Sequence, residues 1–323
     1  MWRVVVVVVL ILVLVGAKPV SKPELRLFLL SSFSKESENS DYLYAALSEL
    51  EATYTVRMRS FYYDEFYKAS TSDVQVVTDR VVGSLEKFSP NFVLLNGDFA
   101  MEQYALRAGN NIAKYKTIAW GTYMPPATWS TWLATKSLVY IPIAMDFAKV
   151  AERIKIAYRG SSPRFVMLAS NDPMSLFVTN WLRQQTQNFE EIEFESVQKA
   201  MAFVRRKVPK NTVFVYNLFR LQSTESGSTF NTQAIVGELT SVKHANLEVM
   251  IAPSDSNWHA GIGLSFGQNQ SEIRAIIIRQ ISKFVPGVVA LPNAIGVNVS
   301  RLNRLGFHEF SNTLDSVDIL HYE

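Results

Sequence analysis

Cysteine is absent from all 323 residues, which excludes disulfides, thiolate metal sites, a cysteine nucleophile and a lipidated cysteine near the amino terminus. Histidine is scarce. The four, His244, His259, His308 and His321, include no two at a spacing that would bring both rings onto one helix face, so the pattern offers no zinc site. Net charge is small, 32 basic against 29 acidic side chains giving +3, and no Lys or Arg run is interleaved with aromatics. Nucleic acid is therefore a poor partner for this chain. Gly261-Ile-Gly263 with Gly267 has the wrong spacing for a dinucleotide fingerprint and does not pass directly from strand to helix, so no cofactor is expected.

What is present is an ordinary globular composition, 48% hydrophobic and 19% charged, in a chain longer than one usual domain; two sizeable cores are expected. Met1-Trp2-Arg3 supplies one positive charge ahead of the unbroken apolar run Val4 to Val15, and Val15-Gly16-Ala17 suits a cleavage site. That pattern reads as a secretory signal over residues 1–17, with a mature chain starting at Lys18. The rival reading is an uncleaved anchor, but a span needs about 20 apolar residues and this run is shorter, which favours cleavage.

The stretch from Pro90 to Gly121 organises the rest. Asn91 to Leu95 is a short apolar run of strand formers, Asn96-Gly97-Asp98 favours a tight turn and a helix start, and Met101, Tyr104, Ala105 and Ala108 fall at helical spacing. Lys116 to Trp120 then reads as a second strand, so the segment is one parallel crossover unit. Leu25 to Leu30 is a first strand and Asp41 to Leu50 a helix with Ser40 as its cap. Tyr54 to Met58 is a strand and Val74 to Lys87 a helix. The pattern loosens at Met124-Pro125-Pro126 and a Trp- and Thr-rich stretch, read here as the first passage between lobes. Alternation then resumes, with helices at 145–158, 173–184, 197–206 and 232–242 and strands at 164–168, 190–196, 212–216 and 247–251. A long helix at 271–284 and a short one ending before Gly306 close the chain. Strands and helices joined by short links imply parallel sheets covered on both faces.

In order, these segments resemble the substrate-binding proteins of ABC transporters with the type I periplasmic-binding-protein fold, in the branch associated with aromatic amino acids. Four places carry the resemblance: the strand ending in Ser31-Ser32-Phe33 with its polar loop to Ser40-Asp41; Pro90 to Asp98 with the strand Lys116 to Gly121; Ala260 to Gly267 before the Ile-rich helix; and Val297 to Gly306. The branch's usual Asp after Pro90 is Asn91 here, and the aromatic cluster expected after Phe33 is missing. The resemblance implies an α/β protein of two Rossmann-like lobes with a multi-crossing hinge, lobe 1 taking 24–122 plus 262–290 and lobe 2 taking 123–261 plus 291–323. It implies a periplasmic protein capturing a small, amino-acid-like ligand for an ABC permease, or one reporting to a membrane receptor or histidine kinase.

In open parallel sheets, ligands bind outside the carboxyl ends of the strands. The candidates that follow strands are Ser31, Ser32, Asn96, Asp98 and Thr122 in one lobe and Ser170, Asn171, Asn217 and Asp255 in the other. They offer hydroxyls and amides for a carboxylate and carboxylates for an amine; the plainer reading of several is helix capping. Ser265 sits in Gly263-Leu-Ser-Phe-Gly267, which matches the Gly-x-Ser-x-Gly pattern of hydrolases. A glycine-rich turn is expected before it instead of the strand-to-helix elbow that the pattern needs, and no partner is apparent for His259, so no catalytic residue is assigned. The aromatics Phe61-Tyr62-Tyr63 with Phe66-Tyr67 could stack a ligand, but at a strand-to-helix junction they suit core and rim packing. The sequons at Asn269 and Asn298 have meaning only in a eukaryotic secretory pathway.

Overall fold

The computed structural model describes residues 21–33, 35, 41–63, 71–143, 147–158, 162–186, 189–206, 208–224, 228–251, 261–291, 293–307 and 319–322. The apolar leader, Ser40, Phe66, Tyr67, Asp255, Trp258 and His259 lie outside them. In chain order the first half runs β1 (Glu24–Ser31), α1 (Asp41–Leu50), β2 (Thr55–Tyr62), α2 (Thr71–Phe88), β3 (Phe92–Asn96), α3 (Asp98–Ala108), β4 (Lys116–Thr122), β5 (Leu138–Pro142) and α4 (Phe147–Ala157). There follow β6 (Arg164–Ser170), α5 (Pro173–Gln185), β7 (Phe189–Phe194), α6 (Val197–Val204), β8 (Thr212–Asn217), the short hairpin β9 (Arg220–Gln222) and β10 (Thr229–Asn231), α7 (Thr232–Ser241) and β11 (Leu247–Ile251). The chain closes with β12 (Leu264–Gln268), α8 (Gln270–Ser282), β13 (Gly287–Val288), β14 (Asn293–Asn298), α9 (Val299–Leu305) and β15 (Ile319–Tyr322).

Periodicity explains the elements. In α2 the buried side chains are Val74, Thr78, Val81 and Leu85, one stripe at steps of four, three and four, with Asp73 in the first turn and Lys87 in the last to suit the helix dipole. All five residues of β3 are buried, as expected of a central strand covered on both faces. Each apolar side chain so buried stabilises the fold by roughly 1.5–3 kcal/mol. On the edge strand β2 the exposed Arg57 and Arg59 keep the unpaired backbone from templating another strand.

Two sheets result. The first has the order β13-β5-β4-β3-β1-β2 and is parallel throughout. The second has the order β15-β14-β12-β11-β8-β6-β7, parallel except that β14 runs antiparallel to β12. Each repeats one doubly wound pattern, with the order reversing at β1/β3 in the first and β6/β8 in the second. The chain passes between the sheets after β5, after β12 and after β13. Gln268 ties two of these passages together, its Nε2 donating to the Pro142 carbonyl at 2.7 Å.

Two boundaries differ from the sequence reading. The stretch 123–142, assigned to the second lobe, places β5 in the first sheet beside β4. The return segment 262–290 is split: β12 lies in the second sheet, while α8 packs Ile273, Ile276, Ile277 and Ile281 into the apolar cluster of the first. Both corrections have one cause. Leu138 to Pro142 is a five-residue apolar strand hidden behind Trp- and Thr-rich turns, and β12 is hidden by its glycines.

Candidate functional site

The carboxyl ends of both sheets face the seam between the lobes. In the first lobe, Ser31 and Asn96 stand side by side in register at the β1/β3 switch point. Ser31 Oγ accepts from the Phe33 amide at 3.1 Å and from Asn96 Nδ2 at 3.5 Å. Ser32 Oγ accepts from the Ala100 amide at 2.9 Å, capping α3 from the neighbouring loop. Gly97 separates the two partners with φ of 88°, and a Cβ there would stand 2.6 Å from Ser32 Oγ, so only glycine fits.

Asp98 is fully buried. Its carboxylate accepts from the Tyr123 amide at 2.9 and 3.1 Å and from the Met124 amide at 3.2 Å, gripping the chain where it leaves β4. Burial pushes the Asp98 carboxyl up to about 7, against the lowering effect of those two amides and with a smaller upward push from Glu102. Thr122 donates to the Tyr140 hydroxyl at 2.7 Å, which donates in turn to the Met124 carbonyl at 2.5 Å.

The second lobe mirrors this arrangement. Asp172 is the N-cap of α5, its Oδ1 accepting from the Ser175 amide at 3.0 Å and its Oδ2 from Ser170 Oγ. Ser170 Oγ also accepts from the Phe219 amide at 3.0 Å. Asn217 Nδ2 donates to the Ser175 carbonyl at 2.9 Å and to Thr179 Oγ1 at 3.1 Å, while Asn217 Oδ1 is buried with no partner among the described residues. Asn171 alone of the described candidates is exposed.

The structure thus gathers Ser31, Ser32, Asn96, Asp98 and Thr122 at one sheet end and Ser170, Asn171 and Asn217 at the other, with Asp255 outside the described residues. Most of their polar atoms are engaged in pinning loops and helix ends. An aromatic contact crosses the seam itself: Tyr123 packs on Trp181 of α5 with ring centroids 5.7 Å apart. One apolar cluster runs through both lobes. Sequence reasoning passed over Asp172, Tyr123, Trp181 and Gln268. Only Asp172 carried a signal, the Asp-Pro pair that opens a helix.

Ser265 lies mid-strand in β12, 2% exposed, opposite Met250 and Gly296. The glycine-rich turn expected before it is present, with Gly261 to Gly263 irregular and Gly261 at φ 87°, but it leads into a strand that carries Ser265 through its middle, so the elbow of a serine nucleophile is missing. Among the described residues no group of His, Asp or Glu could hold a metal ion, and no helix is long and apolar enough to cross a membrane. A fluorophosphonate probe is expected to leave Ser265 unlabelled in the native protein; stoichiometric labelling, read by mass spectrometry, would establish a nucleophile here.

The chain has the two-lobe α/β fold of type I periplasmic binding proteins. The ligand-free, open form of a substrate-binding protein with adhesive properties from Clostridium difficile matches with a TM-score of 0.55 at 11% identity, over 93% of this chain and 99% of that one. The ABC domain from Streptococcus pneumonia in complex with L-Trp matches with a TM-score of 0.55 at 13% identity, over 88% and 95%. An ABC transporter solute-binding protein from Agrobacterium vitis bound with α-D-tagatopyranose matches with a TM-score of 0.53 at 11% identity, over 88% and 98%. No protein-family model matches the sequence, and no curated protein sequence does.

Proposed function

We propose that this chain is an exported solute-binding protein that takes a small polar ligand in the crevice between its lobes and hands it to an ABC permease. The observation that carries the reading is the facing pair of switch points, β1/β3 and β6/β8, joined by three chain passages that allow hinged closure. Structural neighbours with the same architecture hold L-Trp or α-D-tagatopyranose. Between those classes the local charge pattern favours a neutral, hydroxylated or ring-bearing ligand over a zwitterion. Asp98 spends its carboxylate on two backbone amides, and the described candidates include no Lys or Arg to meet a ligand carboxylate. Asn171 and the unpartnered Asn217 Oδ1 are the polar groups left to contact such a ligand, beside the Tyr123 and Trp181 rings.

A ligand that binds only the folded protein raises the melting temperature as its concentration passes its dissociation constant. A thermal-shift screen of sugars, cyclic polyols, nucleosides and amino acids is expected to single out one neutral class, and Asn217→Ala to diminish that shift. A shift produced by amino acids alone would replace the neutral ligand with a zwitterion. Silence from every class would count against solute binding altogether.

A further inference from the structure

The base of the first lobe, at the amino ends of its strands and therefore on the face away from the crevice, holds a cavity of about 370 Å³. Its apolar wall is Leu25, Pro90 and Phe92, all buried. Its rim is polar, and the polar groups are unevenly spent. Glu24, the only carboxylate in the lining, faces Arg57 at 3.3 Å. Lys114 pairs with Glu86 at 3.7 Å and lies 5.4 Å from the centre of the Tyr115 ring.

Lys116 differs from Lys114. Its ammonium sits 5.6 Å from the Phe92 ring centre and 5.5 Å from that of Phe284, yet it has no carboxylate partner among the described residues. Two rings tilted at 55° to each other thus hold a cation at the cavity mouth, an arrangement that orients the ammonium without neutralising it. Asn91 adds a neutral donor: its Oδ1 is taken by the Arg26 amide at 2.7 Å, so its NH2 group is what remains to offer. Tyr54 brings a hydroxyl to the same lining.

We propose that this cavity is a second binding site, distinct from the crevice, for a small aromatic carboxylate. One uncompensated ammonium with two neutral donors suits a single negative charge shared over two oxygens. The wall of Phe92, Leu25 and Pro90 suits a flat apolar body. A dianion would need a second free cation, and Lys114 is committed to Glu86.

Benzoate, titrated into the whole chain by calorimetry or ligand-observed NMR, tests the site. Saturable binding is expected, weakened at least about tenfold in Lys116→Gln and clearly in Tyr54→Phe, with benzyl alcohol about tenfold weaker than benzoate. Lys116 is exposed, and Tyr54→Phe removes only the hydroxyl from a half-buried ring, so the variants keep the fold, and the crevice variant Asn217→Ala leaves benzoate binding unchanged. Equal affinity in Lys116→Gln, equal affinity for benzyl alcohol, equal affinity for inorganic phosphate, or no saturable binding would each overturn the proposal. None of these results bears on whether the crevice holds a solute.

Discussion

Arg301→Met is expected to destabilise the protein by roughly 3–5 kcal/mol, read as a lower urea midpoint, because it strands a buried carboxylate. Glu248 on β11 is 0% exposed, and Arg301 on α9 grips it with Nε at 2.8 Å and a terminal nitrogen at 2.5 Å. His244 Nδ1 accepts from the Asn246 amide at 3.2 Å, which leaves Nε2 to donate to Glu248 at 2.9 Å, and the Tyr216 hydroxyl donates at 3.2 Å. Burial pushes the Glu248 carboxyl up, but the hydrogen bonds and charge of Arg301 and the bond from His244 outweigh it and hold the group below its ordinary range. With the folded value lowered, the stability this network contributes is present above the unfolded carboxylate value and lost as pH falls through the folded one.

The partner experiment separates charge from packing. Arg301→Met combined with Glu248→Gln removes the stranded charge while keeping an acceptor for Tyr216 and His244, so it is expected to recover much of the loss. A single-variant effect under about 1 kcal/mol would mean that water or a rearranged side chain reaches Glu248, and that α9 is held by Leu302 and Leu305 alone. The fold-level consequence is local: α9 follows β14 in the closing segment of the second lobe, and this network is its polar fastening to β11.

The alternation of strand and helix was legible because a parallel sheet covered on both faces needs apolar runs of strand length separated by amphipathic helices. Leu25 to Leu30, Asn91 to Leu95 and Val74 to Lys87 each announce themselves in that way. β12 did not, since Gly263 and Gly267 read as turn residues. The structure supplies a reason for the first of them: a Cβ at Gly263 would stand 3.0 Å from a methyl of Leu302, so the glycine is there for close packing. The strand-end positions of the polar candidates were also legible, from topology. Their occupations were not, because a hydroxyl such as that of Ser32 finds its partner at Ala100, 68 residues away, and only the fold brings the two together. Composition alone cannot separate a serine that caps a distant helix from one that waits for a ligand.

Asp98 carries the opposite pH signature to Glu248, and it sits where the lobes meet. Its folded value, raised from 3.8 to about 7 chiefly by burial, means that the folded protein holds this proton more tightly than the unfolded chain does. The sign follows: stability is greatest with Asp98 protonated and declines as pH rises between about 4 and about 7, by up to roughly 4 kcal/mol for a shift of this size. The groups acting on it are Glu102 on its own helix, which opposes ionisation, and the Tyr123 and Met124 amides, which favour it; Tyr123 and Tyr140 are the other titratable groups beside it. Asp98→Asn keeps one oxygen that can accept from both amides, since Oδ1 is within 3.2 Å of each. The parent is therefore expected to lose stability from pH 5 to pH 8 while the variant stays nearly level, the difference between them isolating this one group from every other titration. Above pH 7 the variant should be the more stable of the two. If the parent-minus-variant difference does not change across that range, Asp98 is solvated in solution and the seam at Tyr123 and Trp181 is open to water.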